Sequence, residues 1–260
     1  MLMNRIKRLF RRSSQQLPRL PYPITPVKGQ ETLGTVYGGW TVPIHSFNEN
    51  SICYCFGAGE DISFDIELIK RFGCHIYTFD PTPHSQRHIK QLIENTRQEK
   101  KTFVNNDPDL AYDIAPVDLN KLHVYDFGIW NENAVVTFYA PQNPDHVSHS
   151  IVNLQNTTGG FEAQCYTLQH IMDMLGHDAL TCMKLDIEGA EYAVLDSMMN
   201  AGIKPQILCV EFDEGHNPQD KDYIRRIHGT LGNLVESGYR ITHRSGWDFT
   251  LVDRAQMGNP

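Results

Sequence analysis

The strongest constraint on this chain is a rhythm: from Ser51 onward, short apolar runs alternate with amphipathic runs at helical spacing. Ser51–Phe56 is apolar and ends in Gly57-Ala58-Gly59; Asp61 then stands as a helix cap before Ile62, Ile66, Ile69 and Phe72, with Gly73 as the stop. Cys74–Phe79 predicts the next strand, halted by Asp80-Pro81. Val124–Phe127 and Val135–Tyr139 predict two more strands, and a polar loop runs from Pro141 to Gln164. Leu168, Ile171, Met172 and Leu175 mark a helix closed by Gly176. The second half repeats the pattern with strand Thr181–Leu185, helix Ala190–Ala201 and strand Gln206–Phe212, then a helix with Tyr223, Ile227, Leu231 and Leu234 on one face. Arg240–His243 and Phe249–Val252, separated by Ser245-Gly246, read as a terminal antiparallel hairpin. Strand-helix alternation of this kind predicts an α/β fold: a Rossmann-like, mostly parallel sheet covered by helices on both faces, with one antiparallel edge.

Composition limits the functions this fold can carry. Residues 1–30 hold seven Lys/Arg and no Asp or Glu, which leaves 16 Lys/Arg against 31 Asp/Glu, a charge of −15, on residues 31–260. An acidic body repels polyanions, so no nucleic-acid partner is expected. The basic stretch, proline-rich at Pro18, Pro21, Pro23 and Pro26, predicts an arm over 1–30 ahead of one domain over 31–260. Within the arm, Leu2, Ile6, Leu9 and Phe10 fall at helical spacing among Arg5, Lys7, Arg8, Arg11 and Arg12, a pattern compatible with weak contact at an anionic membrane surface. A solvated extension is the expected state of residues 1–27. No apolar run reaches the ~18 residues of a membrane span, and no hydrophobic stretch follows the basic start. The six cysteines form no CxxC pair, and Cys53, Cys55, Cys182 and Cys209 lie inside predicted strands. Buried free thiols and a cytoplasmic location are expected. Nothing in the pattern fixes an oligomeric state.

In an open parallel sheet, ligands bind beyond the carboxyl ends of the strands at the point where strand order reverses. That rule brings Gly57, Ala58, Gly59, Glu60 and Asp61 to one cleft with Asp80, which lies 21 residues after Gly59. Glycines admit close approach of a ligand, and a carboxylate at that distance suits ribose hydroxyls. The plain alternative is a strand-to-helix turn, with Asp80 merely capping the turn before Pro81. The dinucleotide fingerprint wants a third glycine where this chain has Ile62, and no GxxxxGK[ST] phosphate loop occurs. Glu60 and Asp61 would oppose a pyrophosphate at the helix N-terminus. A cationic, phosphate-free adenosine ligand such as S-adenosylmethionine fits better.

The most specific run in the chain is Met183-Lys184-Leu185-Asp186-Ile187-Glu188-Gly189-Ala190-Glu191. Together with Gly57-Ala58-Gly59, Asp80, Gly128-Ile129-Trp130 and Ile207-Leu208-Cys209-Val210-Glu211-Phe212, it resembles the FkbM-type methyltransferases from about Trp40 to Val252. The resemblance implies the class I methyltransferase fold, S-adenosylmethionine as donor, and O-methylation of a sugar or other small polar acceptor. Many members carry an acidic residue two positions before the first glycine and an Asn two after it; here those places hold Cys55 and Gly59. Glu60 or Asp61 then supplies the carboxylate for the donor's amino group.

Methyl transfer to an unactivated alcohol requires removal of a proton. Asp186 ends the fourth parallel strand, Glu211 ends the fifth, and Asp213, Glu214 and His216 follow in its loop. Asp186, Glu211 and His149 are the candidate bases, His149 lying in the long loop beside Ser148 and Ser150. For Asp186 and Glu188 the alternative role is to cap the helix that begins near Ala190; for Glu211 it is a paired, buried carboxylate. A Mg²⁺ ion held by Asp186, Glu211 and Asp213 is the other way to activate a hydroxyl. Asn153, Asn156, Thr157 and Thr158 offer the long loop donors and acceptors suited to a polyol or glycan. An NAD- or nucleotide-sugar-dependent enzyme, or a non-catalytic binding module, would use the same cleft.

Overall fold

The computed structural model describes residues 17–140, 151, 157 and 159–256. Two short strands, β1 (Gln30–Leu33) and β2 (Trp40–Pro43), pair antiparallel ahead of the main sheet. They are followed by β3 (Ile52–Phe56), α1 (Ser63–Phe72), β4 (His75–Phe79), α2 (Pro83–Arg97) and β5 (Leu122–Tyr125). A separate small sheet comprises β6 (Gly128–Ile129), β7 (Ala134–Tyr139) and β8 (Gly160–Tyr166). The remaining elements are α3 (Leu168–Leu175), β9 (Cys182–Leu185), α4 (Glu191–Asn200), β10 (Ile207–Glu211), α5 (Tyr223–Glu236), β11 (Tyr239–Ser245) and β12 (Asp248–Asp253).

The main sheet runs β11-β12-β10-β9-β3-β4-β5. From β10 to β5 every pairing is parallel, whereas β12 is antiparallel to both its neighbours. This is the doubly wound order 3-2-1-4-5-6 with one antiparallel strand inserted between the fifth and sixth. The reversal of order falls between β3 and β9, which locates the ligand crevice beyond the ends of those two strands.

Both faces of the sheet are covered, so its central strands need no polar side: β9 is buried throughout, as is β3 from Cys53 to Phe56. On one face Tyr54, Phe56, Met183, Leu185, Leu208 and Val210 pack with α3, α4 and α5. The other face carries Cys53, Cys55, Cys182, Ile207 and Cys209 against α1, α2 and the β1–β2 pair. Each fully buried aliphatic or aromatic side chain contributes about 1.5–3 kcal/mol. All six cysteines are buried and free.

The expected strands and helices from Ser51 to Phe79 and from Thr181 to Val252 are present, with small shifts at their ends. α1 begins at Ser63, and Asp61 serves it from outside, its Oδ1 accepting from the Ser63 amide at 3.0 Å. Residues 160–164, expected in a loop, instead form most of β8, paired with β7 from Ala134↔Cys165 to Tyr139↔Gly160. α2 and the β1–β2 pair had no counterpart in the apolar pattern. The buried face of α2 is Ser85, His88, Ile89, Leu92 and Thr96, so polar groups stand where the pattern looks for apolar ones. One of them is satisfied internally, the His88 ring lying 2.9 Å from the Tyr112 hydroxyl.

The arm is not wholly solvated. Leu20 and Tyr22 pack against the core, the Tyr22 hydroxyl donates to the His228 carbonyl at 3.2 Å, and the Thr25 amide donates to Ile241 O at 2.8 Å. Arg244 also reaches the Pro18 carbonyl at 2.9 Å. Apolar Leu20 and amphipathic Tyr22 thus anchor a proline-stiffened segment along α5 and β11. The helical spacing at Leu2–Phe10 lies outside the described residues, as does His149. Among the described residues, no helix is long and apolar enough to cross a membrane.

Candidate active site

The turn after β3 is welded to the end of β9. Gly57 has φ +81°, and a Cβ there would stand 1.7 Å from the Asp186 carbonyl oxygen. The close approach therefore requires glycine on both counts. The Asp186 amide donates to Phe56 O at 3.2 Å and the Gly57 amide to Phe79 O at 3.1 Å, so three strand ends meet at this point. Asp80, 5% exposed, holds the turn: Oδ2 accepts from the Ala58 and Gly59 amides at 2.9 and 3.0 Å, and Oδ1 from the Thr82 amide at 2.8 Å. A carboxylate has about four acceptor sites, so Asp80 retains about one. Beside Gly59 the space is open, with no atom within 4 Å of an added Cβ.

Of the two acids in this turn, Asp61 faces away from the sheet end. Its Oδ2 accepts from the Thr35 hydroxyl at 2.5 Å, which ties α1 to the turn between β1 and β2. Glu60 pairs with the His84 ring at 2.7 Å.

Lys184 is the centre of the adjoining strand end. Its buried ammonium donates to Gly57 O at 2.5 Å and lies 3.2 Å from Asp186 Oδ2. Burial alone would lower its pKa; the carboxylates of Asp186 and, from α1, Asp65 outweigh that and hold it above its ordinary value. Asp65 is itself buried and accepts from the Thr78 hydroxyl at 2.7 Å. Asp186 is pushed up to about 7, first by desolvation and then by the neighbouring Glu211 carboxylate, with Lys184 opposing both. Asp213 is also raised, by burial and then by Glu211.

Glu211 closes β10, with Oε1 3.0 Å from His216 Nε2. Asp248 opens β12 directly opposite it in the antiparallel register. One oxygen of each carboxylate and one nitrogen of His216 lie within 4.8 Å of one another. Asp186 and Asp213, expected to share an ion with Glu211, border this trio rather than join it.

The loop after β9 has its own brace. Glu188 has φ +56°, a left-handed conformation that costs a non-glycine residue on the order of 1 kcal/mol or more. The fully buried Glu191 accepts from the Gly189 amide at 3.0 Å and the Ile187 amide at 3.4 Å. Its carboxyl is pushed up to about 8 by burial, against the Gly189 hydrogen bond. α4 has no side-chain N-cap, so the capping role open to Asp186 is not the one it takes.

The family model of the methyltransferase FkbM domain matches residues 54–241. The chain belongs to the FkbM methyltransferase family. Its sheet, with one antiparallel strand inserted before the last, is accordingly the class I methyltransferase fold. Among solved structures, this FkbM methyltransferase is similar to a Methanococcus maripaludis protein assigned as an S-adenosyl-L-methionine-dependent methyltransferase: 10% identity, TM-score 0.36, covering 78% of this chain and 77% of that one. It is also similar to M. jannaschii TYW2 in complex with AdoMet, at 10% identity and TM-score 0.33, covering 88% of this chain and 89% of that one. These likenesses are too distant to carry a site or a substrate. No match is found among curated proteins.

In this FkbM methyltransferase, the residues expected at the cleft fall into two groups. Ala58 and Gly59 are joined to Asp80 by hydrogen bonds, beside Gly57, at the β3 end, while Asp186, Glu211 and Asp213 gather at the β9 and β10 ends. Lys184, Glu191 and Asp248 carry roles that pattern reading did not assign. A lysine within an apolar strand run is a visible signal, because a buried charge must be paired. Asp248 has no such signal, because only the register places it beside Glu211.

Proposed function

We propose that this methyltransferase uses S-adenosylmethionine to methylate a hydroxyl oxygen on a sugar or other small polar acceptor, with Asp186 as general base. The observation that carries the reading is the position of Asp186: its backbone abuts the Gly57 turn, and its side chain lies between Lys184 and Glu211 with a pKa of about 7. A base poised near neutral pH is suited to taking a proton from an alcohol as its oxygen becomes a nucleophile.

The residues present fit the donor. Open space beside Gly59 admits a ligand next to backbone, Asp80 keeps an acceptor site for a ribose hydroxyl, and Glu60 lies in the same turn for an ammonium. When bound, S-adenosylmethionine supplies an electrophilic methyl group and leaves as a neutral thioether. Lys184 holds the base close to the donor turn by bridging Gly57 O and Asp186. Asp186 accepts the hydroxyl proton, and Glu211 beside it raises its basicity. The acidic body, at −15 over residues 31–260, disfavours nucleic acid as a partner. Free, buried cysteines support a reducing, cytoplasmic setting, with the basic N-terminal arm, residues 1–30, as the segment for any weak contact with an anionic membrane.

The test is transfer of labelled methyl from S-adenosylmethionine across hydroxyl, amine and thiol acceptors. Label on hydroxyls alone is expected, and label confined to amines or thiols would end the O-methyl reading. Asp186→Asn should keep donor affinity within about twofold by calorimetry and lose about 10²–10⁴ in turnover. Turnover within tenfold of the parent would remove Asp186 as the base.

A further inference from the structure

Glu211 and Asp248 sit directly across from each other at the ends of two antiparallel strands. Side chains so opposed stand on the same face with Cβ atoms about 5 Å apart, and like charges there repel. Asp186 and Asp213 crowd the same edge, so the negative charge is not an isolated pair. The geometry nonetheless is fixed from several sides. The Phe212 amide donates to Trp247 O at 3.1 Å, locking the end of β10 to the residue before Asp248. The single turn Asp213–Gly215 then brings His216 back over Glu211, the His216 amide donating to Asp213 O at 2.8 Å. Gly215 in that turn lies flat on the Trp247 indole, where a Cβ would come within 2.2 Å of the ring.

The result is one imidazole nitrogen and two carboxylate oxygens, from three separate segments, converging within 4.8 Å of one another and half-open to the cleft. Bonds of about 2.0–2.2 Å to one ion place neighbouring ligand atoms about 3–4 Å apart, a distance that small side-chain rotations reach here. We infer that Glu211, His216 and Asp248 bind one divalent transition-metal ion of the Mn²⁺ or Zn²⁺ kind at the acceptor side of the cleft. Two carboxylates match its charge, and an imidazole ligand favours these ions over Mg²⁺ and Ca²⁺, which take oxygen ligands. Three protein ligands leave coordination positions for water or an acceptor hydroxyl, whose pKa the ion would lower. In that use the inference rests on the proposed methyl transfer; in its existence it does not. Both the ligand set and the preferred ion differ from the Mg²⁺ site expected on Asp186, Glu211 and Asp213.

The experiment is titration of the full chain, stripped with chelator, by Mn²⁺ without donor or acceptor, following loss of the free-ion electron paramagnetic resonance signal. One Mn²⁺ per chain is expected, displaced by equimolar Zn²⁺ and retained against a hundredfold excess of Mg²⁺. His216→Gln and Asp248→Asn should each weaken binding at least tenfold, with circular dichroism unchanged. If either variant loses its fold, the thermal midpoint of the parent chain decides: Mn²⁺ should raise it, and chelator should reverse the rise. A free-ion signal undiminished by the parent chain, or variants that bind as the parent does, would show only a close His216–Glu211 contact and overturn the site. Displacement of Mn²⁺ by equimolar Mg²⁺ would overturn the transition-metal assignment. Because no methyl transfer is measured, either failure leaves the O-methyl reading to its own test.

Discussion

The two halves of the cleft hold their carboxylates in opposite ways. At the β3 end, Asp80 accepts from three backbone amides, and the turn it grips is thereby shaped before any ligand arrives. At the β9, β10 and β12 ends, Asp186, Glu211, Asp213 and Asp248 face one another, with the Lys184 ammonium beside Asp186 and the His216 ring beside Glu211. Backbone amides lower the energy of a fixed negative charge, whereas crowded carboxylates raise one another's proton affinity. The first arrangement suits binding, the second suits proton transfer or a cation, and Lys184 joins them because its ammonium touches both Gly57 O and Asp186.

Removing that link should have the largest effect. Lys184→Met leaves the buried Asp65 and the half-buried Asp186 without their cation, and breaking a buried pair from one side costs about 3–5 kcal/mol. Urea unfolding should show that loss, and donor affinity should fall with it because the Gly57 carbonyl loses its partner. A variant as stable as the parent would mean that the two halves are held independently.

Asp80→Ala sharpens the contrast from the other side. Three amides lose their acceptor, two of those hydrogen bonds being fully buried, so unfolding free energy should drop by about 2–4 kcal/mol. Donor affinity should fall by about 1.5–3 kcal/mol, the range for hydrogen bonds to a charged group. Weaker donor binding with unaltered stability would make Asp80 a ligand group alone and not the clamp of the turn.

The same division explains what pattern reading could and could not find. β3, β4, β9 and β10 are covered on both faces, so they stand out as apolar runs, and the crevice follows from their order. Gly57 and Asp80 were legible because they end those runs. β8 was lost because Gly160, Glu162 and Gln164 are incompletely buried and polar or small, and α2 because it turns Ser85, His88 and Thr96 inward. Glu211 was legible as a carboxylate at a strand end, whereas its pairing with Asp248 is a fact of register across 37 residues. Local periodicity carries no information about such long-range partners.

The smallest expected effect concerns Glu191, the brace behind the crowded half. Its carboxyl titrates at about 8 in the folded chain because burial, with Asp213 and Asp186 adding to it, outweighs the Gly189 amide; the unfolded value is 4.5. The folded state therefore binds more protons than the unfolded state between those two values. Stability from this group is fully present below about pH 4.5 and is lost progressively as pH rises through 8. Glu191→Gln keeps an acceptor for the Gly189 amide but cannot ionise. Relative to the parent, its unfolding free energy should be nearly unchanged at pH 5 and higher by about 1–3 kcal/mol at pH 9. Denaturant titrations at the two pH values give the difference directly. A Gln variant that loses stability equally at both would mean that Glu191 works as an anion bound by the Ile187–Gly189 loop, and the crowded half would then extend one turn deeper into α4 than its neutral form implies.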